Sequence, residues 1–186
     1  MLSFDTTHAL TSCLLTAEAS APTSRWDNPP TLLLIQDRPI DVVRSAQRET
    51  RTVQIPLFGD GQRGLPAMLH ELANALTGSA TTVAVDHDID LKLLGGLLND
   101  PGLRLLAWAV RYDDLLAQPD ALDRVRRIDA VDVDGRVYHL TRLHQEAHPV
   151  VLIDEQPDPD HLPATQPALA ALIAATTITA SQKASA

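Results

Sequence analysis

Leu65, Leu69, Leu72 and Leu76 recur at spacings of four, three and four, with Met68 beside them. Side chains three and four apart share one face of a helix. An amphipathic helix is therefore predicted here, with Pro66 in its first turn and Gly78 as its stop. Other stretches follow a period of two or form short unbroken apolar runs. TRTVQIPLF (50–58) alternates, with Val53, Ile55 and Leu57 on one side and Thr52 and Gln54 on the other. TLLLIQ (31–36) and LRLLAWAVRY (103–112) are apolar runs of strand length, the second holding Trp108. RVRRIDAVDV, RVYHLTRL and VVLID (150–154) are three further strand-like runs. A helix is expected over 5–19 with Asp5 as N-cap, a short one over 88–99 weakened by Gly95 and Gly96, and an Ala/Leu helix in the last twenty residues. TTVAV (81–85) reads as a strand or an extended link.

Breakers divide these runs. Pro29 and Pro30 make APTSRWDNPP a loop. DRP is expected to turn the chain so that IDVVRS (40–45) returns as a partner for 31–36. GDGQRG (59–64) is a loop, NDPG (99–102) a turn, and DDLLAQPDALD a connection with room for a helical turn. Short strands, hairpin turns and segregated helices predict a single α+β domain, a mostly antiparallel sheet with flanking helices. Three segments are expected: an N-terminal helix in 1–24, the α+β core in 25–155, and a Pro-rich acidic linker with the C-terminal helix in 156–186.

Composition narrows the function classes. The chain is 45% hydrophobic and 21% charged, enough for one real core. Aromatics are only 3%, so aliphatic residues must fill it. Lys92 and Lys183 are the only lysines among 15 basic residues, and with abundant Ala, Pro and Asp this points to a GC-rich genome. A net charge of −9 repels phosphate backbones, which argues against nucleic acid as a partner. The single cysteine, Cys13, allows neither an intramolecular disulfide nor a Cys-rich zinc site, and it suits a reducing compartment. Asp5 and His8 precede the first apolar run and no positive segment opens the chain, so the N-terminus reads as a helix rather than a targeting signal. No run approaches the roughly 20 apolar residues of a membrane span. A cytoplasmic location without a membrane partner is expected.

The densest polar chemistry lies in AVDVDGRVYHLTRLHQEAH (130–148). An EF-hand loop built on Gly135 would use Asp134 and Asp132, but its first position is Ala130 and its twelfth Thr141, so two essential ligands are missing. A hairpin with Asp134 and Gly135 as a type I′ turn fits better. It pairs Val131 with Tyr138, Ala130 with His139 and Asp129 with Leu140. Val131, Val133, Tyr138 and Leu140 then share a core face, and the aspartates serve the turn and solvent. His144 and His148 stand four apart, as zinc ligands on a helix do. However, Glu146 is misplaced for H-E-x-x-H and Pro149 ends any helix, so a polar loop is expected. The metal reading would add His139 or His161 as third ligand.

VDHDID (85–90) groups Asp86, Asp88 and Asp90 with His87 after a strand-like run. Carboxylates there suit either Mg²⁺ or the N-cap of the following helix. FGDGQRG matches neither G-x-G-x-x-G nor a P-loop, and no G-x-S-x-G occurs. Cys13 has no activating neighbour and reads as a small buried hydrophobe. Arg124, Arg126, Arg127, Arg136 and Arg142 crowd the hairpin. They suit an anionic ligand, or the chain's own Asp154, Glu155, Asp158 and Asp160.

WDNPPTLLLI (26–35) and AVDVDGRVYHLTR (130–142) together resemble small uncharacterised proteins of actinobacteria, in which a Trp-Asp-x-Pro-Pro opening precedes an apolar strand and an Asp-Gly hairpin follows. The resemblance implies no activity, cofactor or site residue. The residues lead to a non-catalytic protein-interaction or accessory module without a cofactor, binding its own kind or another protein through a sheet edge or the C-terminal helix. On that reading Asp86, Asp88, His144 and His148 stay apart and solvated. The alternative is a metal-dependent hydrolase in which at least three of them converge. A third reading makes the hairpin arginines an anion or nucleic-acid site.

Overall fold

Leu32, Leu33, Leu34 and Ile35 are consecutive, and all four are fully buried. A strand sends alternate side chains to opposite faces, so this run needs cover on both sides. The computed structural model, which describes residues 1–21, 28–40, 48–57, 64–78, 91–98, 102–117 and 122–184, supplies that cover. Its elements are α1 (Phe4–Ala19), β1 (Thr31–Pro39), β2 (Arg48–Pro56), α2 (Leu65–Leu76), α3 (Leu91–Leu98), β3 (Arg104–Ala117), β4 (Leu122–Asp132), β5 (Val137–Leu143), β6 (Val150–Asp154), a 3-10 turn (Pro159–His161) and α4 (Gln166–Ala184). The six strands form one sheet in the order β2-β1-β3-β4-β5-β6, and every neighbouring pair is antiparallel. The chain is a single α+β domain, as its short strands and segregated helices predict.

Alternation divides the core into two layers. Leu32, Leu34, Trp108, Val110, Val131 and Val137 face α2, α3 and α4, meeting Leu69, Leu72, Leu94, Leu169 and Leu172. Leu33, Ile35, Ile128, Tyr138 and Leu140 face α1 and its Leu10 and Leu14. Ala107, Ala109 and Ala130 lie beneath α1, and their small side chains let the helix approach the sheet. The stripe on α2 forms as its spacing predicts: Met68, Leu69 and Leu72 are buried, and Gly78 ends the helix at φ 68°. Among the described residues, no helix is long and apolar enough to cross a membrane.

Several boundaries differ from expectation. The N-cap of α1 is Ser3, whose hydroxyl accepts the Thr6 N–H at 3.2 Å. Asp5 lies instead in the first turn, where the helix dipole favours a carboxylate. Asp37, Arg38 and Pro39 do not turn the chain; they continue β1 and pair with Arg48–Thr50. The Arg48 guanidinium, 2.6 Å from Asp37, ties that extension across the ladder. Residues 41–45 of the expected partner strand lie outside the described residues, as do 59–63, 81–85 and 88–90. Asp113–Ala117, expected as a connection, prolong β3 and pair with β4. Opposed charges explain this: Asp113 meets Arg126 at 2.8 Å, and Asp114 meets Arg127 at 3.1 Å.

The hairpin between β4 and β5 forms, but not with a two-residue turn. Val131 pairs with Val137, Ala130 with Tyr138, Asp129 with His139 and Ile128 with Leu140, one residue away from the type I′ register. A slip of one residue moves side chains to the other face. Val131 and Val137 therefore face α2 and α4, Tyr138 and Leu140 face α1, and Val133 is exposed. The cause is Asp132, which is buried rather than solvated. Its carboxylate accepts the N–H of Asp134 at 2.9 Å, the N–H of Arg136 at 3.0 Å and the Tyr138 hydroxyl at 2.9 Å. The Asp132 N–H donates to the Arg136 carbonyl at 3.1 Å to close the loop, and Gly135 at φ 86° permits its turn.

Asp132→Ala would leave those donors buried without an acceptor, at a cost of about 3 kcal/mol. Asp134→Ala removes a more exposed carboxylate and should cost less than about 1 kcal/mol. Urea unfolding of both variants checks this, and equal costs would show that Asp132 does not organise the turn.

Candidate functional site

The sheet has two outer strands, and they are built differently. An outer strand presents unpaired N–H and C=O groups that another chain can join. β2 carries Arg48, Glu49 and Arg51 and ends in Pro56, the residue types that discourage such pairing. β6 is VVLID, with no basic residue or proline within it. Val150 is 65% exposed, Leu152 60% and Ile153 41%. By alternation Val150 and Leu152 share the α4 side of the sheet, while Ile153 projects on the α1 side. Val151 of β6 packs against the cluster beneath α1, while Val150, Leu152 and Ile153 stay open to solvent. Among the described residues, no strand pairs with its outer edge.

The ends of β6 are polar. The loop before it carries His144, Glu146 and His148, all exposed, and is closed by Glu146 N–H donating to the Leu143 carbonyl at 3.0 Å. After it, the Asp154 carboxylate accepts the N–H of Gln156 at 3.0 Å and turns the chain away. Glu155, Asp158 and Asp160 follow.

Behind this margin lies a buried carboxylate. His139 of β5 stands opposite Leu152 in the ladder. Its Nδ1 is 2.9 Å from Asp129, which is only 3% exposed. Asp129 also accepts the Tyr112 hydroxyl at 2.7 Å and the Thr165 hydroxyl at 2.6 Å. Thr165 immediately precedes α4, and its carbonyl accepts the N–H of Leu169. One carboxylate thus joins β3, β4, β5 and the start of α4. Burial alone would raise the pKa of Asp129, but hydrogen bonds from His139, Thr165 and Tyr112 outweigh it and hold the carboxyl below its ordinary range. Burial, followed by the Asp129 charge, pushes the Tyr112 phenol well above its usual value. Among the described residues Asp129 is the only hydrogen-bonding partner of His139. The contact with Asp129 fixes the orientation of the His139 ring.

Among the described residues, the candidate ligands do not gather. His144 and His148 are exposed in the β5–β6 loop, His139 is engaged by Asp129, and His161 pairs with Asp158 at 2.9 Å on the surface. Asp86 and Asp88, with His87 and Asp90, lie outside the described residues. Among the described residues, no group of three His, Cys, Asp or Glu is placed to hold a metal ion. Cys13 is half-buried rather than a core residue and borders a groove of about 480 Å³ between α1 and β2, with Thr16, Thr50 and Arg51. The hairpin arginines meet the chain's own acids, mostly not the ones expected. Arg126, 1% exposed, pairs with Asp113, Arg142 with Glu18, and Arg136 with Asp132 and Asp134. Of the expected acidic set, Glu155 lies 3.9 Å from Arg136. Sequence reasoning missed Asp129, Tyr112 and Thr165. The available signal was period two in β4, which puts Asp129 on the same inward face as buried Val125 and Val131.

Asp129→Asn should destabilise the protein by about 2 kcal/mol at neutral pH. Because the folded pKa of Asp129 is depressed, its stabilisation is full well above the ordinary 3.8 and is lost as pH falls through the lower folded value. Urea midpoints of the two proteins should therefore converge as the solution is acidified below that range. A gap that stays constant from neutral to acid pH would contradict the charged network. Comparison with protein-family models, with curated proteins and with solved structures gives no match.

Proposed function

We propose that this protein is a non-catalytic binding module that receives an extended strand of a protein partner on β6. The observation that carries this reading is the contrast between its two sheet edges, β2 guarded by charge and proline and β6 apolar and open. In strand addition, main-chain hydrogen bonds supply affinity and alternate side chains supply selectivity. Val150 and Leu152 offer apolar contact on one face and Ile153 on the other. The net charge of −9 weighs against a nucleic-acid partner, and the engagement of Arg126, Arg136 and Arg142 by acids of the same chain weighs the same way. Metal-dependent hydrolysis draws no support from His144 and His148, which remain solvent-exposed. The single half-buried cysteine supports binding in a reducing compartment, and we place it in the cytoplasm.

A photo-crosslinking residue substituted for Leu152 in the producing cell should capture a protein. The same residue substituted for Gln54 of β2 should capture none. No adduct at 152, or equal adducts at both positions, would overturn the reading.

A further inference from the structure

Resting on this reading of β6, we propose that its partner is a second copy of the chain, the two β6 strands pairing antiparallel about Leu152. Three observations converge on a self-pair. First, the strand is its own complement. With Leu152 opposite Leu152 of the second copy, Val151 meets Ile153 and Ile153 meets Val151, so the middle three positions are apolar on both faces of the joined sheet.

Second, the charges accept this direction and oppose the other. The carboxylates follow the apolar residues at one end, Asp154 and Glu155, while His148 and Pro149 precede them at the other. Antiparallel pairing sets Asp154 against Val150 and Glu155 against Pro149 of the second copy. Parallel pairing in register would set Asp154 against Asp154, and directly opposed like charges destabilise a ladder.

Third, the assembly closes. A two-fold axis through Leu152 consumes both β6 edges and leaves a twelve-stranded sheet whose remaining edges are the two β2 strands. Those carry Arg48, Glu49, Arg51 and Pro56, so growth stops at two copies. The axis runs perpendicular to the sheet, so both α1 helices lie on one side and both α2 and α4 pairs on the other. Each copy carries −9, so screening by salt should strengthen the association rather than weaken it.

Light scattering after size exclusion, over protein concentrations from about 1 to 500 μM, should show the mass rising from 20.1 kDa to twice that value. Leu152→Glu should stay at 20.1 kDa with an unchanged unfolding midpoint, because the replaced side chain is already 60% exposed. In a Cys13→Ser background, Leu152→Cys should cross-link to itself under mild oxidation, since directly opposed Cβ atoms lie about 5 Å apart. Val150→Cys should not, since the axis places the two copies of that residue roughly 13 Å apart. A protein that remains monomeric throughout, a dimer that survives Leu152→Glu, or cross-linking through position 150 in preference to 152 would each overturn the self-pair. Capture of a different protein through position 152, with the purified chain monomeric, would sink the second copy while leaving β6 as the binding edge. Absence of any adduct there would remove both.

Discussion

A strand that is apolar on both faces cannot lie at the surface of a sheet, and β1 is such a strand. Leu32 and Leu34 need cover on one side, Leu33 and Ile35 on the other. β3 beside it carries the same demand through Trp108 and Val110 on one face and Ala107 and Ala109 on the other. Helices must therefore sit on both sides of the sheet centre. With few aromatic side chains, that cover is built from leucine on helix against alanine, leucine and valine on strand. Among the described residues, the helices cover the middle of the six-stranded sheet most completely and leave Val150, Leu152 and Ile153 at its margin exposed.

Polar residues inside the core act as fasteners between elements. Asp132 shapes the β4–β5 loop from within, and Asp129 ties three strands to the start of α4. Arg126 and Asp113 hold the extension of β3 against β4. A buried charge is tolerated only when its partners are in place, so each of these groups specifies one geometry more sharply than an aliphatic residue would. An aliphatic core low in aromatic side chains has few bulky, distinctive shapes to lock its layers, and the buried acids supply part of that specificity.

Much of the architecture was legible because period and burial act locally. The leucine stripe of α2, the apolar runs of β1 and β3, and the Asp-Gly hairpin are all readable in a few residues. The register of that hairpin was not, because it depends on whether Asp132 faces solvent or protein, and a strand aspartate looks the same in sequence either way. The outer half of β3 was hidden for a related reason. D-D-L-L-A does not alternate, and it extends only because arginines on β4 lie opposite. The site was legible in part: VVLID reads as a strand, but its place at the sheet margin is a property of strand order and not of its own residues. The Asp129 cluster draws on residues from 112 to 165; period two in β4 turns Asp129 inward, but no local pattern brings Tyr112 and Thr165 to it.

Strand order also bears on the making of the chain. β3, β4, β5 and β6 are neighbours in both sequence and space, so that meander can assemble from short loops. β1 is different, because its inner neighbour is β3 and the chain between Pro39 and Arg104 must be completed first. At ordinary rates of synthesis, roughly 5–20 residues per second, this interval lasts several seconds. During it, β2 can pair with only one edge of β1, and the other edge waits for β3. The newborn chain thus carries the inner edge of its best-buried strand, Leu32–Ile35, unpaired until β3 has been made.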